Sequence, residues 1–397
     1  MTSTRTQVGI VGAGPAGLML SHLLALRGID SVVLEARTRE YCEQRVRAGV
    51  LEQGTVDLLE STGLGERMRR EGLLHRGISL RFDGRSHRID FGALTGKAIT
   101  VYGQQEVVKD LIAARRKAKG DVRFEVTNVS LHDLEGPRAL IRYEDADGED
   151  HEVRCDYVAG CDGFHGIARP TIPADALTVY ERVYPFAWLG ILAHAPPPSH
   201  ELIYVNDERG FALFSCRSPE ISRCYLQCSP DEDLDEWPDE RIWSELRARL
   251  DGEDVPTITE GEITQKSVTP MRSFVVAPLR WHRLFLAGDA AHIVPPTGAK
   301  GMNLAIADVL VLAHALEAFY RDGDTASLDE YSDVCLRRVW KTQRFSWWMT
   351  SMLHNFPGAT PYDRRIQHAE LDYVTSSRAP AESLAENYVG LPFAFAV

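Results

Sequence analysis

The hydrophobic pattern of the first 35 residues predicts a strand, a helix and a second strand. Gln7–Val11 is a short apolar run, Pro15–Arg27 has apolar residues at helical spacing, and Ser31–Glu35 is apolar again. A strand–helix–strand unit of this kind favours parallel pairing of the two strands with a right-handed crossover. The chain therefore begins as an α/β protein.

The pattern indicates mixed structure up to residue 160. Helical spacing is present at Glu52–Ser61 and Gln105–Lys119. Between these helices, Ser79–Phe82 and Ser86–Asp90 flank Asp83-Gly84, a dipeptide typical of tight hairpin turns. Residues 122–160 are predicted to form several further strands.

A β-rich segment follows at residues 184–228. It contains four short β-like runs separated by turn-forming stretches, which is the pattern of an antiparallel meander. After it, the periodicity predicts a helix at Asp239–Leu250, strands near Ile263–Val275 and Leu284–Ala287, a long amphipathic helix at Gly301–Tyr320, and helical structure from Leu328 to Asn355.

Together these elements predict an α/β fold in which a β-rich insertion interrupts a Rossmann-like nucleotide-binding domain. We assign residues 1–75, 100–180 and 268–350 to the nucleotide-binding domain, 76–99 and 181–267 to a β-rich substrate domain, and 351–397 to a C-terminal helical segment. A chain of 397 residues exceeds the size at which one hydrophobic core usually keeps growing, which agrees with two lobes.

Composition limits the classes of partner. The 57 acidic residues outnumber the 44 lysines and arginines, which gives a formal net charge of −13. A nucleic-acid partner needs a basic face, and no block of Lys and Arg provides one. No apolar run reaches the length of a membrane span, and the N-terminus lacks the pattern of a cleavable signal peptide. We therefore expect a cytoplasmic protein that binds neither nucleic acid nor membrane.

The seven cysteines are odd in number and scattered, which is typical of reduced thiols rather than of a disulfide framework. Cys224 and Cys228 would point the same way from a strand, but no histidine clusters with them. We therefore predict no metal site.

A glycine-rich motif stands at the first strand-to-helix turn. Gly12-Ala13-Gly14-Pro15-Ala16-Gly17 matches G-x-G-x-x-G, in which the three glycines serve a tight turn, close approach of the backbone to a pyrophosphate, and close packing of helix on strand. Glu35 ends the second strand, where an acid that binds a ribose belongs. The free N–H groups at the helix N-terminus would hold the phosphates. The motif and the acid together predict dinucleotide binding.

Strand alternation places polar side chains on one face of the β-rich segment. Residues 211, 213, 215 and 217 share a face, as do 223, 225 and 227 and, on the preceding strand, 202, 204 and 206. An enclosed pocket on this face would contain two arginines, two tyrosines and a serine. A buried arginine needs a partner, and a substrate carboxylate bound in two-point fashion would provide one. The alternative is a solvated sheet face, and the pattern alone does not decide between the two.

Two further motifs identify the nucleotide. Cys161–Gly166 and Gly288–His292 each follow a predicted strand, and Pro295–Asn303 leads into the long helix. In this order after G-x-G-x-x-G, they resemble the class A flavoprotein hydroxylases. Similarity extends over the chain to the 4-hydroxybenzoate 3-hydroxylase family through Arg47–Gly54, Tyr184–Phe186, Tyr204–Tyr225, Gly288–Asn303, Phe345–Thr350 and Glu386–Pro392.

This resemblance implies an enzyme that hydroxylates 4-hydroxybenzoate at the 3-position, giving 3,4-dihydroxybenzoate, with FAD, NAD(P)H and O2 through a flavin C4a-hydroperoxide. It implies that Arg217, with Ser215 and Tyr225, binds the substrate carboxylate, and that Tyr204 binds the phenol oxygen. Tyr388 and His75 would continue a proton relay to solvent. The remaining residues expected around the substrate are Cys216, Pro296 and Thr297.

The same resemblance implies non-covalently bound FAD. Asp289 would bind the ribityl chain, and the N-terminus of the long helix would favour the negative charge of the reduced flavin. The residues expected to contact FAD are Gly12, Gly14, Ala16, Gly17, Glu35, Arg45, Arg47, Gln105, Asp289, Gly298, Met302 and Asn303.

The electron donor is expected to be NADH or NADPH, with a modest preference for NADH. Uncharged Ala36 follows Glu35, and Glu40 and Glu43 would repel a 2′-phosphate, while Arg37 and Arg39 would attract one. The residues that the resemblance places near the nicotinamide nucleotide are Arg37, Tyr41, His165 and Arg272.

Two alternative functions remain open from the sequence. The pocket could accept another phenolic acid, such as 3-hydroxybenzoate or an amino-substituted analogue. Alternatively, the chain could be a non-catalytic flavin sensor, although a sensor needs no proton relay. The resemblance also implies a homodimer, with the aromatic C-terminal helices as a plausible interface.

Overall fold

A computed structural model of the chain describes residues 2–47 and 49–395. Its helices are α1 (Pro15–Leu26), α2 (Arg39–Gln44), α3 (Gln53–Ser61), α4 (Gly65–Glu71), α5 (Phe91–Thr95), α6 (Gln104–Lys117), α7 (Ala168–Thr171), α8 (Asp239–Leu250), α9 (Gly301–Asp322), α10 (Ala326–Asp329), α11 (Tyr331–Leu353), α12 (Pro361–Ser376) and α13 (Arg378–Val389).

Its strands are β1 (Thr2–Arg5), β2 (Val8–Val11), β3 (Ser31–Leu34), β4 (Val50–Leu51), β5 (Leu73–His75), β6 (Gly77–Phe82), β7 (Arg85–Asp90), β8 (Ile99–Val101), β9 (Asp121–Arg123), β10 (Thr127–His132), β11 (Ala139–Glu144), β12 (Asp150–Cys155), β13 (Tyr157–Gly160), β14 (Thr178–His194), β15 (Ile203–Val205), β16 (Ala212–Ser218), β17 (Ile221–Cys228), β18 (Glu262–Ala277), β19 (Arg280–Trp281), β20 (Leu284–Leu286) and β21 (His292–Ile293).

The six-stranded sheet has the order β19-β20-β13-β2-β3-β9, and β20, β13, β2, β3 and β9 run parallel. Every residue of β2, β3 and β13 is buried, as expected for parallel strands covered on both faces. Because these carboxyl ends lie together, the loops after β2, β13 and β20 meet at one edge, where α/β sheets bind ligands. The three glycine-containing motifs follow these three strands.

The second large sheet has the order β21-β18-β14-β17-β16-β15-β6-β7. β15, β16 and β17 pair antiparallel in chain order, as the predicted meander requires. The first strand of the meander departs from the prediction, because β14 pairs with β17 and β18 rather than with β15. β15 instead pairs in parallel with β6, from the hairpin around Asp83-Gly84. Local alternation predicts which residues form strands but not which strands pair. The pairing of β15 with β6 places Tyr204 on an interior strand of the sheet.

The core divides according to the two faces of this sheet. Leu202, Tyr204, Phe211 and Leu213 pack into a cluster with α11, α12 and α13, whereas Ile203, Val205, Ala212 and Phe214 pack into a second cluster with α8. The alternation predicted for these strands is therefore present, and the polar face is enclosed by helices. The C-terminal helices form the roof of this enclosure.

Helix α9 is long and apolar enough to cross a membrane, the one such helix in the described part of the chain. It is 78% buried within the protein over its most apolar window and packs against α1 and α11. Its composition is thus that of a core helix.

Candidate active site

The glycine loop has the backbone geometry that dinucleotide binding needs. Gly12 has φ of 102°, and a Cβ there would lie 2.4 Å from the Cys161 carbonyl oxygen. A Cβ at Gly17 would lie 2.0 Å from the Gly12 carbonyl oxygen, so helix and strand approach too closely for any side chain. A Cβ at Gly14 would meet no atom within 4 Å. The open side of the loop is therefore at Gly14, above the N-terminus of α1, where an anion is favoured.

Glu35 is attached to this loop. Its Oε2 accepts a hydrogen bond from the Ala13 amide at 2.7 Å, and its Oε1 accepts one from the Arg37 amide at 2.9 Å. These bonds fix the carboxylate beside the glycine turn, and each oxygen keeps a lone pair that can accept a ribose hydroxyl.

Polar side chains with free groups line the same edge of the sheet. Asp289, Arg45 and Arg47 are exposed residues, yet desolvation by the surrounding protein raises the pKa of Asp289 while His292 and Arg47 oppose that rise. The Oε1 atom of Gln105 is buried and has no hydrogen-bond partner. Such unsatisfied groups indicate a concave site that a polar ligand fills.

The turn that carries Asp289 is held from below by Asp308. Its Oδ2 accepts the Gly288 amide at 3.0 Å and a ring N–H of His292 at 2.6 Å. Both side chains are buried. Burial is the largest single effect on the pKa of His292 and lowers it, but the charge and hydrogen bond of Asp308 together with the nearby Asp289 outweigh it, so the pKa of His292 is raised. This pair was not predicted, although a single Asp within the apolar run of α9 is a signal that could have suggested it.

The loop from Pro295 to Lys300 precedes α9 and is anchored to distant segments. Asn303 accepts the Glu52 amide through Oδ1 at 2.9 Å and donates through Nδ2 to the Val50 carbonyl at 2.9 Å. Asn303 therefore ties strand β4 to α9, and its side-chain amide is engaged within the protein. Met302 and Gly298 are buried beside it, and a Cβ at Gly298 would lie 3.0 Å from the Phe345 ring.

A buried charge cluster underlies this loop. The Lys300 ammonium donates to Glu52 Oε1 at 2.7 Å and to the Tyr388 carbonyl at 3.0 Å, while Arg338 donates to Glu52 Oε2 at 3.1 Å. Burial lowers the pKa of Lys300, and Glu52 opposes that shift. The cluster joins segments 248 residues apart, so no local pattern could have predicted it.

The face of the eight-stranded sheet that bears Tyr204 also carries arginines without carboxylate partners among the described residues. Arg217 donates to the Arg47 carbonyl at 3.1 Å, and its Nε has no partner. Arg223 is buried with Nε and Nη1 unpaired. Burial, the largest effect, lowers the pKa of Arg217, the Tyr225 phenol raises it and Arg223 lowers it. Ser215 lies on the same strand and donates to the Arg223 carbonyl at 2.9 Å. Guanidinium nitrogens that are buried without a hydrogen-bond partner, in arginines that have no carboxylate partner among the described residues, suit the binding of an anion.

Two tyrosines meet at the other end of the face. The Tyr204 and Tyr388 hydroxyl oxygens lie 2.5 Å apart, and the Tyr204 hydroxyl donates to the Thr297 carbonyl at 3.0 Å. Both rings are at most 1% exposed, and burial is the largest cause that raises the pKa of each phenol. Both hydroxyls therefore stay protonated at neutral pH, so the pair can pass a proton but neither member is a ready base.

His75 has a different contact from the one expected. Its Nε2 lies 3.3 Å from the Cys216 sulfur, and its buried Nδ1 has no partner. Burial lowers the pKa of His75 to about 4, so the ring is neutral. Among the described residues it forms no direct hydrogen bond with Tyr204 or Tyr388. Cys216 points to the opposite side of β16 from Ser215, toward His75.

The residues expected near the nicotinamide lie in two surface groups. Arg37 and Arg45 both stack on the Tyr41 ring, at 5.4 and 5.7 Å from its centroid. His165 stacks edge-on against Phe164, and the Arg272 guanidinium lies 4.8 Å from the same ring. Arg272 is also paired with Glu181 at 3.3 Å. The described residues contain no group of three His, Cys, Asp or Glu side chains arranged to hold a metal ion.

A glycine loop lies at the edge of a parallel sheet, and an enclosed sheet face carries arginines and a tyrosine pair. This combination is typical of an enzyme that uses a dinucleotide cofactor and acts on a small anionic ligand. A family described as FAD binding domain matches residues 5–346. The chain is 48% identical over 395 residues to a p-hydroxybenzoate hydroxylase of Acinetobacter baylyi, covering 99% of this chain and 97% of the relative.

Solved structures show the same fold. A p-nitrophenol 4-monooxygenase, PnpA from Pseudomonas putida DLL-E4, superposes with a TM-score of 0.83 at 20% identity over 98% of both chains. Aklavinone-11 hydroxylase, solved with FAD and aklavinone, superposes with a TM-score of 0.74 at 21% identity over 91% of this chain and 73% of that one. The chain belongs to the FAD-binding-domain family of flavoprotein aromatic monooxygenases. The predicted fold class, enzyme class and FAD cofactor are confirmed.

The residues of the groove fit FAD. The open backbone at Gly14 can receive a pyrophosphate, Glu35 can accept a ribose hydroxyl, and the unpartnered Gln105 Oε1 and the accessible Asp289 carboxylate remain for the sugar and ribityl hydroxyls. The exposed guanidinium groups of Arg45 and Arg47 provide the positive charge that phosphates need.

Proposed function

We propose that this protein converts 4-hydroxybenzoate, O2, NAD(P)H and a proton into 3,4-dihydroxybenzoate, water and NAD(P)⁺. Bound FAD, once reduced by the nicotinamide, would activate O2, of which one oxygen atom enters the product and the other leaves as water. The observation that carries the proposal is the placement of Arg217, which has no carboxylate partner among the described residues, and a hydrogen-bonded tyrosine pair on one enclosed sheet face. The p-hydroxybenzoate hydroxylase relative, 48% identical along the whole chain, supports the same substrate.

The spacing of the two ends suits a para-substituted acid. Tyr204 is opposite Leu213 in the register, and Arg217 lies four residues further along β16. Four residues of strand span about 13 Å, and both long side chains can lean inward from that separation. A carboxylate at Arg217 and a phenol oxygen at Tyr204 would then sit at opposite ends of one benzene ring. Ser215 and Tyr225 would complete the carboxylate site.

The tyrosine pair provides what hydroxylation of a phenol requires. An electron-rich ring reacts better with an electrophilic oxygen, and a phenol in water keeps its proton up to about pH 10. Tyr204 can stabilise the phenolate by donating to it, and Tyr388 can pass the released proton onward. The buried, neutral His75 would take part only through groups that lie between it and Tyr388. Enclosure by the C-terminal helices keeps bulk water from the reacting atoms.

The proposal extends to the donor site, the oligomeric state and the cellular location. Arg37, Tyr41, His165 and Arg272 would contact the nicotinamide nucleotide from the two surface groups described above. A homodimer is supported by exposed aromatic and aliphatic residues on the outer faces of α11 and α12, namely Trp340, Trp347, Tyr362, Ile366 and Tyr373. A cytoplasmic location agrees with seven free cysteines.

Anaerobic reduction of the flavin by NADH and NADPH, with a panel of hydroxybenzoates, tests the proposal. The purified protein should be yellow, and 4-hydroxybenzoate should accelerate flavin reduction more than 3-hydroxybenzoate or 4-aminobenzoate does. Product analysis in air should then show 3,4-dihydroxybenzoate. A colourless protein that does not take up FAD would refute the flavoenzyme, and stronger stimulation by another phenolic acid would reassign the substrate.

A further inference from the structure

A hydrogen-bonded pair of threonines lies behind the tyrosine pair. The Oγ1 atoms of Thr297 and Thr350 are 2.9 Å apart, and Thr350 Oγ1 donates to the Ser346 carbonyl at 2.7 Å. Since each hydroxyl has one proton, Thr350 must accept from Thr297. Both residues are fully buried, so the side chain of Thr297 is fixed to α11 in one orientation.

Helix α11 is itself held at this position. The Thr350 carbonyl lies 3.0 Å from Nδ1 of His354, and the Trp188 indole donates to Nε2 of the same ring at 2.7 Å. Because Nε2 accepts, Nδ1 carries the proton and donates to Thr350. The ring also stacks on Phe211 at 4.2 Å. Thr297 is therefore anchored to a rigid part of the substrate sheet's core.

The backbone of Thr297 accepts the only proton of Tyr204. Tyr204 donates its proton in the 3.0 Å hydrogen bond to the Thr297 carbonyl. In the 2.5 Å contact between the two hydroxyls, Tyr388 must therefore be the donor and Tyr204 the acceptor. A neutral phenol can enter this arrangement unchanged by donating to the remaining lone pair of Tyr204. A phenolate cannot, because it needs a donor, and Tyr204 must first turn away from the Thr297 carbonyl.

We infer that Thr350 is a positioning residue that holds the Thr297 carbonyl as a competing acceptor for the Tyr204 proton, and thereby restrains ionisation of the bound phenol. The inference rests on the proposed function. The other titratable or charged groups that face Tyr204 are Tyr388 from α13 and Tyr225 from β17. Lys300 lies beyond Tyr388, at 5.6 Å from its ring centroid. Substitution of Thr350 leaves all of these groups in place.

The test is the ionisation of bound 4-hydroxybenzoate in the FAD-loaded enzyme, measured from the phenolate absorbance in difference spectra across pH. In Thr350→Val the carbonyl is released, so the midpoint should fall by about half a pH unit or more, a threefold gain in the ratio of phenolate to phenol. Thr350→Ser retains the hydroxyl and should restore the wild-type midpoint. Thr375→Val is the matched control, because Thr375 makes the same type of intrahelical bond, to the Leu371 carbonyl at 2.9 Å, on α12.

Thr297→Val removes the other hydroxyl of the threonine pair and breaks the same hydrogen bond. This variant replaces Thr350→Val in the test if Thr350→Val does not fold. An unchanged or higher midpoint in both valine variants would overturn the inference. So would loss of FAD from both while Thr350→Ser remains normal, because the pair would then only hold the cofactor loop. If wild-type protein neither binds nor ionises 4-hydroxybenzoate, the proposed function fails instead.

Discussion

The glycine loop at Gly12–Gly17 and the sheet face around Tyr204 differ in what positions their functional groups. The loop is built from consecutive residues, and its backbone is positioned by close approaches at Gly12 and Gly17 that exclude any Cβ. The sheet face is built from side chains of β15, β16, β17, the loop before α9, and α13, which meet only when the chain closes on itself. A change in the loop should therefore act through sterics, whereas a change on the face should act through one lost chemical group.

The largest expected effect separates two glycines of the loop. Gly17→Ala places a methyl group 2.0 Å from the Gly12 carbonyl, and should cost at least about 3 kcal/mol of folding free energy. Gly14→Ala meets no protein atom within 4 Å, so the apoprotein should keep its stability while FAD affinity falls at least about tenfold. Flavin content and thermal unfolding of apoprotein measure both effects. Equal destabilisation by the two changes would mean that the open side of the loop is misplaced.

On the sheet face, Arg217→Ala should remove the charge-assisted partner of the substrate carboxylate. Binding of 4-hydroxybenzoate should weaken by about 2–4 kcal/mol, with FAD retained. Arg182→Ala, an exposed arginine on β14, is the control and should change little. Flavin fluorescence or absorbance titration measures the affinity. If the Arg217 variant binds within about twofold of wild type, the arginine lies on a solvated face.

Tyr204→Phe tests the other end of the same face. The ring still fills its place, so substrate should bind, but the phenol loses its hydrogen-bond partner and remains largely protonated. Hydroxylation should slow at least about tenfold, and reducing equivalents should appear as hydrogen peroxide. The ratio of 3,4-dihydroxybenzoate to NAD(P)H consumed is the measurement. Full coupling in this variant would contradict the relay.

The glycine loop is built from consecutive residues and the sheet face from distant segments, and this difference decides how much of each could be predicted from the sequence. The roles of Gly12, Gly14 and Gly17 could be read from adjacent residues, because a backbone turn is a local property. The shared face of Tyr204, Leu213 and Tyr225 followed from alternation. The pairing of β14 with β17 did not follow, and neither did the contacts of Asp308 with His292 or of Thr297 with Thr350, because they depend on how distant segments pack.

A smaller effect concerns the stability of the protein at acidic pH, to which the buried His354 behind the Tyr204 face contributes. Burial lowers the pKa of His354 from its ordinary 6.5 to about 3, so the ring is neutral when folded. A histidine with a depressed folded pKa supports the fold above pH 6.5, and this support is lost as pH falls toward 3, by up to about 1.4 kcal/mol per pH unit. His354→Gln should therefore flatten the decline in unfolding free energy between pH 6 and 4. Some decline should persist, since His75 has a pKa of about 4 for the same reason. A slope equal to that of wild type would show that His354 is protonated in the folded protein.

The smallest expected effect lies outside both regions, at the turn after Glu35, and it is the preference for NADH over NADPH. Arg39 is paired with Glu40 at 2.9 Å and lies 3.6 Å from Glu43. The charge of Arg39 is therefore already engaged by these two acids. Arg37 is exposed, stacks on Tyr41, and is left as the group that can meet a 2′-phosphate.

The two arginines and two acids of this turn, Arg37, Arg39, Glu40 and Glu43, have no net charge and give a 2′-phosphate little net attraction. We therefore expect NADH to be preferred by less than tenfold, below about 1.4 kcal/mol. Steady-state kcat/KM for each donor at saturating 4-hydroxybenzoate measures the preference, and Arg37→Ser should increase it by lowering kcat/KM for NADPH alone. Arg69→Ser, an exposed arginine on α4 paired with Glu60, is the control. If NADPH is preferred tenfold in wild type and the preference disappears in Arg37→Ser, Arg37 controls the donor site and the acids do not.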